Sequence, residues 1–427
     1  MHDESDRQMG PLAVLVPIEP ASDGNGLAMR AATFVSGASA HFSVVVLVVP
    51  VSGTQTYRPT TEPQNTTCVI PLRSGRSPAT GSDFLSSARW RTLLESTLPF
   101  PPGADLAPPT MAAEVVAAAF GAGLGKGTPI HVMRSYLAPL GIAVAEQLGS
   151  PWCSLDLDDD DESVAASLGR GARAAAYHRL IGAFGSRFDA VCAAAPLEAG
   201  ALDERFEMMV TAVRNAVAIP GDAKRNPAEP PELLFVGNLG YPPNVQAAET
   251  LATQVVPEMA RVLRRPVNAH LVGPQEEPVR HLGMLPGIRV SGWVEDLAPF
   301  YERATAVVVP LAHGSGTSIK VLEAFARRVP VVATRVGVRG LGVEDGTHVL
   351  LGETPAELGA AAVRLVRDPS LGDRLAHAAR GLVEHRYCAR VAEAEVGNFL
   401  IGAAEHGRRA RTPDPGPGGV PGTADSP

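Results

Sequence analysis

The sequence predicts an α/β protein made of two doubly wound, parallel-sheet domains that face each other across a cleft. Three observations carry this expectation. Short, almost wholly apolar runs alternate with alanine-rich helical stretches, the pattern that builds parallel sheets. The runs lack a polar face, as strands covered on both sides do. The alternation breaks once, at a proline-rich and polar segment over 219–231, and then restarts.

In the first half, LAVLVPI (12–18), SVVVLVV (43–49), PIHVMR (129–134), WCSLDL (152–157) and AVCAAA (190–195) read as strands. GLAMRAATFVSGAS (26–39) reads as a helix entered from a glycine turn. In the second half the strands are LLFVGN (233–238), NAHLVG (268–273), IRVSGW (288–293), TAVVVP (305–310) and PVVAT (330–334). Two helices are expected at about 371–386 and 389–405. These segments give an N-terminal domain over 1–218, a linker over 219–231 and a C-terminal domain over 232–385. A final helix over 386–407 is placed to return to the N-terminal domain, and a Pro/Gly-rich tail over 408–427 is expected to be disordered. Residues 52–109, rich in Pro, Ser, Thr and Gly, read as an excursion with one helical piece near 82–98. Ligands of open parallel sheets bind at the carboxyl ends of strands, so two facing edges would make a two-substrate site.

Composition narrows the function. The length of 427 residues suits two or three domains of roughly 100–200 residues each. A net charge of −8 argues against nucleic acid as the main partner, because phosphate-backbone binding wants a basic face. Cys68, Cys153, Cys192 and Cys388 form no CxxC pair, which offers no zinc framework and suits a reducing compartment. The acidic start MHDESDRQMG lacks the features of a signal peptide, and FSVVVLVVPV (42–51) is far short of a membrane span of about 20 residues. A cytoplasmic protein is expected; peripheral membrane association stays open.

The chemistry concentrates in HGSGTSIKVLEAFARRVPVVATRVGVRGLG, residues 313–342. Gly314, Ser315, Gly316, Thr317 and Ser318 follow a strand and lead into a helix. The helix start offers free N–H groups and a positive dipole end, a natural anion site. Glycines let the backbone approach a phosphate closely. Lys320 sits in the first turn, where a cation opposes the dipole, so a nearby anion explains it better than helix stability does. Glu323 lies three residues on, near the same face, where sugar hydroxyls could hydrogen-bond it. The alternative is a glycine turn, a capped helix and a surface Lys–Glu pair. The spacing is not that of a P-loop.

GSGTSIKVLEAFARRVPVVATRVGVRGL resembles the donor-binding segment of nucleotide-sugar glycosyltransferases with the GT-B fold, of the retaining family 4 type. The likeness extends to LLFVGNLGYPPN (233–244), DGTHVLLGETPAELGAAAVRLVRDP (345–369), PIEPASDGNGLAMRAATF (17–34) and VRNAVAIP (213–220). It covers most of residues 12–400 and is weak over 52–125. It implies a glycosyltransferase with two Rossmann-like domains. A nucleotide diphosphate sugar would be the donor, and a glycan, lipid-linked or small-molecule acceptor would receive the sugar with retained configuration. By the same resemblance Lys320 would contact the donor diphosphate and Glu323 the ribose. The amides of Gly316, Thr317 and Ser318 would hold phosphate or sugar oxygens, and Gly237 and Asn238 would line the donor pocket. Gly24 and Gly26 would let the acceptor domain approach the phosphates. Two departures stand out. Ser315 occupies the place of the family's sugar-contacting glutamate. No cation follows the GN strand end at 237–238, leaving Lys320 alone or helped by Arg30, Arg134 or Arg335. A non-catalytic nucleotide-sugar binding subunit and a nucleotide-sugar epimerase are the alternatives.

Three further groups lie at strand ends of the first half. In SLDLDDDDES (154–163), Asp156 and Asp158 form a DxD. It reads as a metal site, as a solvated loop that caps the next helix, or as carboxylates facing the acceptor. The expectation is that no metal or other cofactor is required. His131 and Arg134 end the strand at 129–134 and are placed, with Arg30, at the cleft; a buried core histidine is the alternative for His131.

Overall fold

A computed structural model describes residues 9–22, 25–51, 66–70, 101–221, 225–314 and 316–411. Gly24, Ser315, the helical piece near 82–98 and the tail from 412 lie outside the described residues. The chain forms two all-parallel sheets with helices on their faces.

The first sheet has seven strands in the order β3-β2-β1-β4-β5-β6-β7. They are β1 (Pro11–Val16), β2 (Ser43–Val48), β3 (Thr66–Val69), β4 (Ile130–Met133), β5 (Cys153–Asp156), β6 (Ala190–Ala193) and β7 (Val210–Ala212). The central strand β1 pairs with β2 from Pro11 opposite Ser43 to Val16 opposite Val48. Every residue of β4 and β5 is buried. The second sheet has six strands in the order β10-β9-β8-β11-β12-β13. These are β8 (Glu232–Val236), β9 (Asn268–Val272), β10 (Ile288–Ser291), β11 (Ala306–Val309), β12 (Val331–Ala333) and β13 (Leu350–Leu351). In both sheets the order reverses beside the first strand, the switch point at which such sheets bind ligands.

Each predicted strand is present within a residue or three. The helix expected at 26–39 is Gly26–Ser39, entered through Asn25, whose side chain accepts from the Leu27 and Ala28 amides. Three short strands escaped the reading. β3, β7 and β13 each close one end of a sheet and are not wholly buried, so they lack the long apolar run that marks the others.

The helix Ala389–Arg411 crosses back to the first sheet and lies along Gly26–Ser39. Val396, Phe399, Leu400 and Ala403 join the core under β1 and β2. Gly37 makes the contact close: a Cβ there would sit 2.7 Å from the Glu393 carbonyl oxygen. The bond from the Arg214 amide to Glu395 (2.8 Å) ties the same helix to the segment after β7. Among the described residues, no helix is long and apolar enough to cross a membrane.

Candidate active site

The site is a cavity of about 300 Å³ between the two sheets. Its C-terminal wall is the end of β8, the loop after β11 and the helix Ile319–Ala326. Its N-terminal wall is the start of the helix Gly26–Ser39.

Among the described residues that line this cavity, Lys320 is the one lysine or arginine. Its Nζ donates to Asn244 Oδ1 at 2.8 Å and lies 4.9 Å from the centre of the Phe235 ring. Among the described residues it has no carboxylate within salt-bridge distance. Burial pushes its pKa down to about 8, against the raising effect of Glu323. Gly237 makes room for this arrangement. A Cβ there would lie 2.9 Å from Asn244 Nδ2 and 3.1 Å from Lys320 Cε. Asn238 turns the chain, accepting from the Gly240 amide through Oδ1 and from Asn244 Nδ2 through its carbonyl.

Glu323 also lines the cavity and is 8% exposed. Its Oε2 accepts from the Tyr301 hydroxyl at 3.0 Å. Burial and this carboxylate push the Tyr301 pKa well above the usual phenol value. The Lys–Glu pair is thus an inward-facing pair on a cavity wall, not a surface pair.

Gly314, Gly316, Thr317 and Ser318 lie where the motif put them, on the cavity at the helix start. Ser318 precedes the helix without capping it, and its buried Oγ has no partner among the described residues. Gly316 has φ +80°, and a Cβ there would overlap Asp159 Oδ1. Its amide donates to Glu198 of the first domain, and Thr317 Oγ1 donates weakly to the Ala194 carbonyl at 3.4 Å. Gly26 faces Ile319 across the cavity; a Cβ there would make an ordinary 3.5 Å contact, so this approach does not itself demand glycine.

The cleft placement of Arg30, His131 and Asp156 is corrected. All three are buried below the site. Arg30 forks onto Asp156 with two bonds of 2.7 Å and donates to the Val213 carbonyl and Asn215 Oδ1. A buried guanidinium needs such partners, and the long-range partners decide where it points. His131 stacks on Phe34 with ring centres 4.6 Å apart and shares a 2.9 Å hydrogen bond with Ser154. Burial pushes its pKa down to about 4. Arg30 therefore cannot join Lys320. Arg134 is bound to Asp158 at 2.9 Å and to Asp161 at 2.7 Å, while Arg335 pairs with Glu353.

The acidic run is not a solvated loop. Asp156, Asp158 and Asp160 are buried, and Asp160 pairs with Arg205 at 2.9 Å. Asp158 has φ +60° and lies between Arg30 and Arg134. Asp159, the most exposed of the loop's arginine-facing carboxylates, faces Gly316; burial and its acidic neighbours hold its pKa well above the usual range.

Several residues of the site were missed by sequence reasoning. His313 and Asn244 sit inside quoted motifs but were given no role, and Tyr241 and Asn25 also line the cavity. Tyr301 and Glu198 had no local signal, because each acts through a partner distant in sequence.

Two facing doubly wound domains, with an anion-ready helix start on the inner wall of the second, define the class: a GT-B glycosyltransferase architecture. The family model described as Glycosyl transferases group 1 matches residues 230–368, and that domain of this chain is a group 1 glycosyltransferase domain. The chain is 43% identical over 88 residues to a D-inositol 3-phosphate glycosyltransferase of Frankia alni. That match spans 20% of this chain and 21% of the relative. The fold is similar to that of a sucrose-phosphate synthase from Thermosynechococcus elongatus, with TM-score 0.67 and 18% identity over 92% of this chain and 98% of that one. It is also similar to Anabaena Alr3699/HepE in complex with UDP and glucose, with TM-score 0.63 and 14% identity over 91% and 99%.

Proposed function

We propose that the protein transfers a sugar from a nucleotide diphosphate sugar held by its C-terminal domain to a hydroxyl-bearing acceptor at the N-terminal wall. The observation that carries this reading is Lys320. Among the described residues it is a cation without a carboxylate partner, held by Asn244 and Phe235 beside a helix start that Ser318 does not cap. A diphosphate would complete both.

The difficult step is departure of the diphosphate from an oxocarbenium-like sugar. Lys320 and the amides of Gly316, Thr317 and Ser318 would stabilise the charge that develops on the leaving oxygens. Ser318 Oγ would donate to one of them. Glu323, already holding the Tyr301 hydroxyl, would accept from the ribose hydroxyls. No described carboxylate of the cavity is offered as a covalent nucleophile; the departing phosphate takes the acceptor proton, and the configuration is retained. No divalent metal is required in this reading, because Asp156, Asp158, Asp160 and Asp161 are spent on Arg30, Arg134 and Arg205. The free cysteines suit a cytoplasmic protein, with lipid-linked acceptors and peripheral membrane contact kept in the acceptor panel.

UDP-sugars come first in the test because the Anabaena neighbour holds UDP and glucose. The purified protein is incubated with UDP-, GDP- and ADP-sugars and a panel of sugar, polyol and lipid-linked acceptors. The expected result is acceptor-dependent release of one nucleotide diphosphate that persists in a chelator. Binding of a nucleotide sugar with no turnover would reduce the protein to a binding subunit. Sugar isomerisation without an acceptor would make it an epimerase.

A further inference from the structure

We propose that Glu198 is an interdomain clasp: its carboxylate holds the Gly316 amide that the donor diphosphate must take, so donor binding displaces it from that amide. This rests on the proposed donor site at 316–320.

Glu198 belongs to the first domain, in the helix Pro196–Phe206 that follows β6. Its Oε1 accepts from the Gly316 N–H of the second domain. That N–H lies at the start of the helix Ile319–Ala326, two residues from Ser318 and four from Lys320. The same positive end that suits a phosphate also suits a carboxylate. The second observation concerns the other oxygen. Glu198 is 3% exposed, and its Oε2 is buried with no partner among the described residues. A permanent structural carboxylate at this depth would be expected to have both oxygens satisfied, because leaving one unmade is costly. Glu198 is half-satisfied and therefore easily displaced by an anion that offers more.

The surroundings favour displacement. The charges of Asp158, Asp159 and Asp160 in the loop after β5 act against that of Glu198, and Arg339 of the loop after β12 partly opposes them. Burial first, then these acids, pushes Glu198 up to about 7 against the Gly316 bond. Above pH 7 the clasp is an anion. A diphosphate arriving at the same amide would push its pKa higher still, so binding would take up a proton.

The test measures UDP, GDP and ADP binding by calorimetry to wild type, Glu198→Gln and Lys320→Ala. At pH 8, Glu198→Gln is expected to bind the preferred nucleotide about five- to tenfold more tightly than wild type, the scale of the net worth of one hydrogen bond. At pH 6, where Glu198 is already neutral, the difference should shrink toward nothing. At pH 7.5, comparison of Tris and HEPES buffers should show more proton uptake by wild type than by Glu198→Gln. Lys320, with its own pKa of about 8, contributes equally to both and cancels. Equal or weaker binding by Glu198→Gln at pH 8 overturns the clasp. Proton uptake by wild type alone supplies the second readout: none in excess of the lysine's share also overturns it. If Lys320→Ala weakens the nucleotide while Glu198→Gln changes nothing, the donor site stands and the clasp falls. If no nucleotide binds any of the three proteins, the donor site itself falls and takes the clasp with it.

Discussion

At the scale of single residues the proposed site turns on one lysine. Burial holds Lys320 at about 8, and in the proposed transfer only its charged form would stabilise a leaving diphosphate. Donor affinity should therefore fall as pH rises through 8. Stability should move the other way. The unfolded chain keeps this lysine protonated to about pH 10.4. Between pH 8 and that value it binds more protons than the folded chain, so stability rises with pH. Opposite slopes in a nucleotide titration and a denaturant titration check this, and Lys320→Ala should flatten both. The same substitution should lower kcat/KM by about a hundredfold or more while leaving the circular dichroism spectrum unchanged. His131 works at the acid end. Its folded value of about 4 lies below the unfolded value near 6.5, so the protein loses stability as pH falls between them. His131→Phe should reduce that acid-side slope; His270, also held near 4 by burial, keeps part of it.

At the scale of elements, what could be read from the sequence divides along a physical line. β1, β2, β4 and β8 announce themselves, since strands buried on two faces are continuous apolar runs. The glycine loop at 314–318 also announces itself, because its glycines, Lys320 and Glu323 fall within one turn and one helix. Whatever depends on pairing across the chain stayed hidden. Lys320 meets Asn244 across 76 residues, Glu198 meets Gly316 across 118 and Arg30 meets Asp156 across 126. Spacing along the chain says nothing about such pairs, so Arg30 read as a cleft residue when it is a buried strut. As a strut it ties the helix Gly26–Ser39 to the end of β5 and to the segment at 213–215. Asp156→Ala would leave a buried guanidinium without its main partner and should cost about 3–5 kcal/mol in denaturant unfolding, whereas a surface ion pair would cost almost nothing. A second element-scale prediction concerns Gly37, where the Val396 side chain lies 2.8 Å from where a Cβ would be. Gly37→Val should force the helix Ala389–Arg411 outward and cost about 1–3 kcal/mol.

At the scale of the whole molecule the two domains touch around the cavity through polar contacts, Glu198 to Gly316 and Thr317 to Ala194, and through Met29, which packs into the core of the second domain. Contacts of this kind allow relative motion, and a ligand that bridges both walls biases it. A nucleotide that binds only the folded protein should raise its melting temperature with concentration. At a hundred times its Kd the gain is about 2.7 kcal/mol. A scan that showed no concentration dependence with UDP, GDP or ADP would count against the donor site.

The helix Ala389–Arg411 has a consequence for how the protein is made. Its Phe399 and Leu400 complete a core whose other members include Leu12, Val14, Phe34 and Val46. A ribosome delivers those partners first and this helix only after the entire second domain has emerged. The first sheet must therefore wait with one apolar face only partly covered, by the helix Gly26–Ser39, while the second domain folds, and chains stalled or truncated before residue 389 would expose the rest of that face to chaperones or to one another.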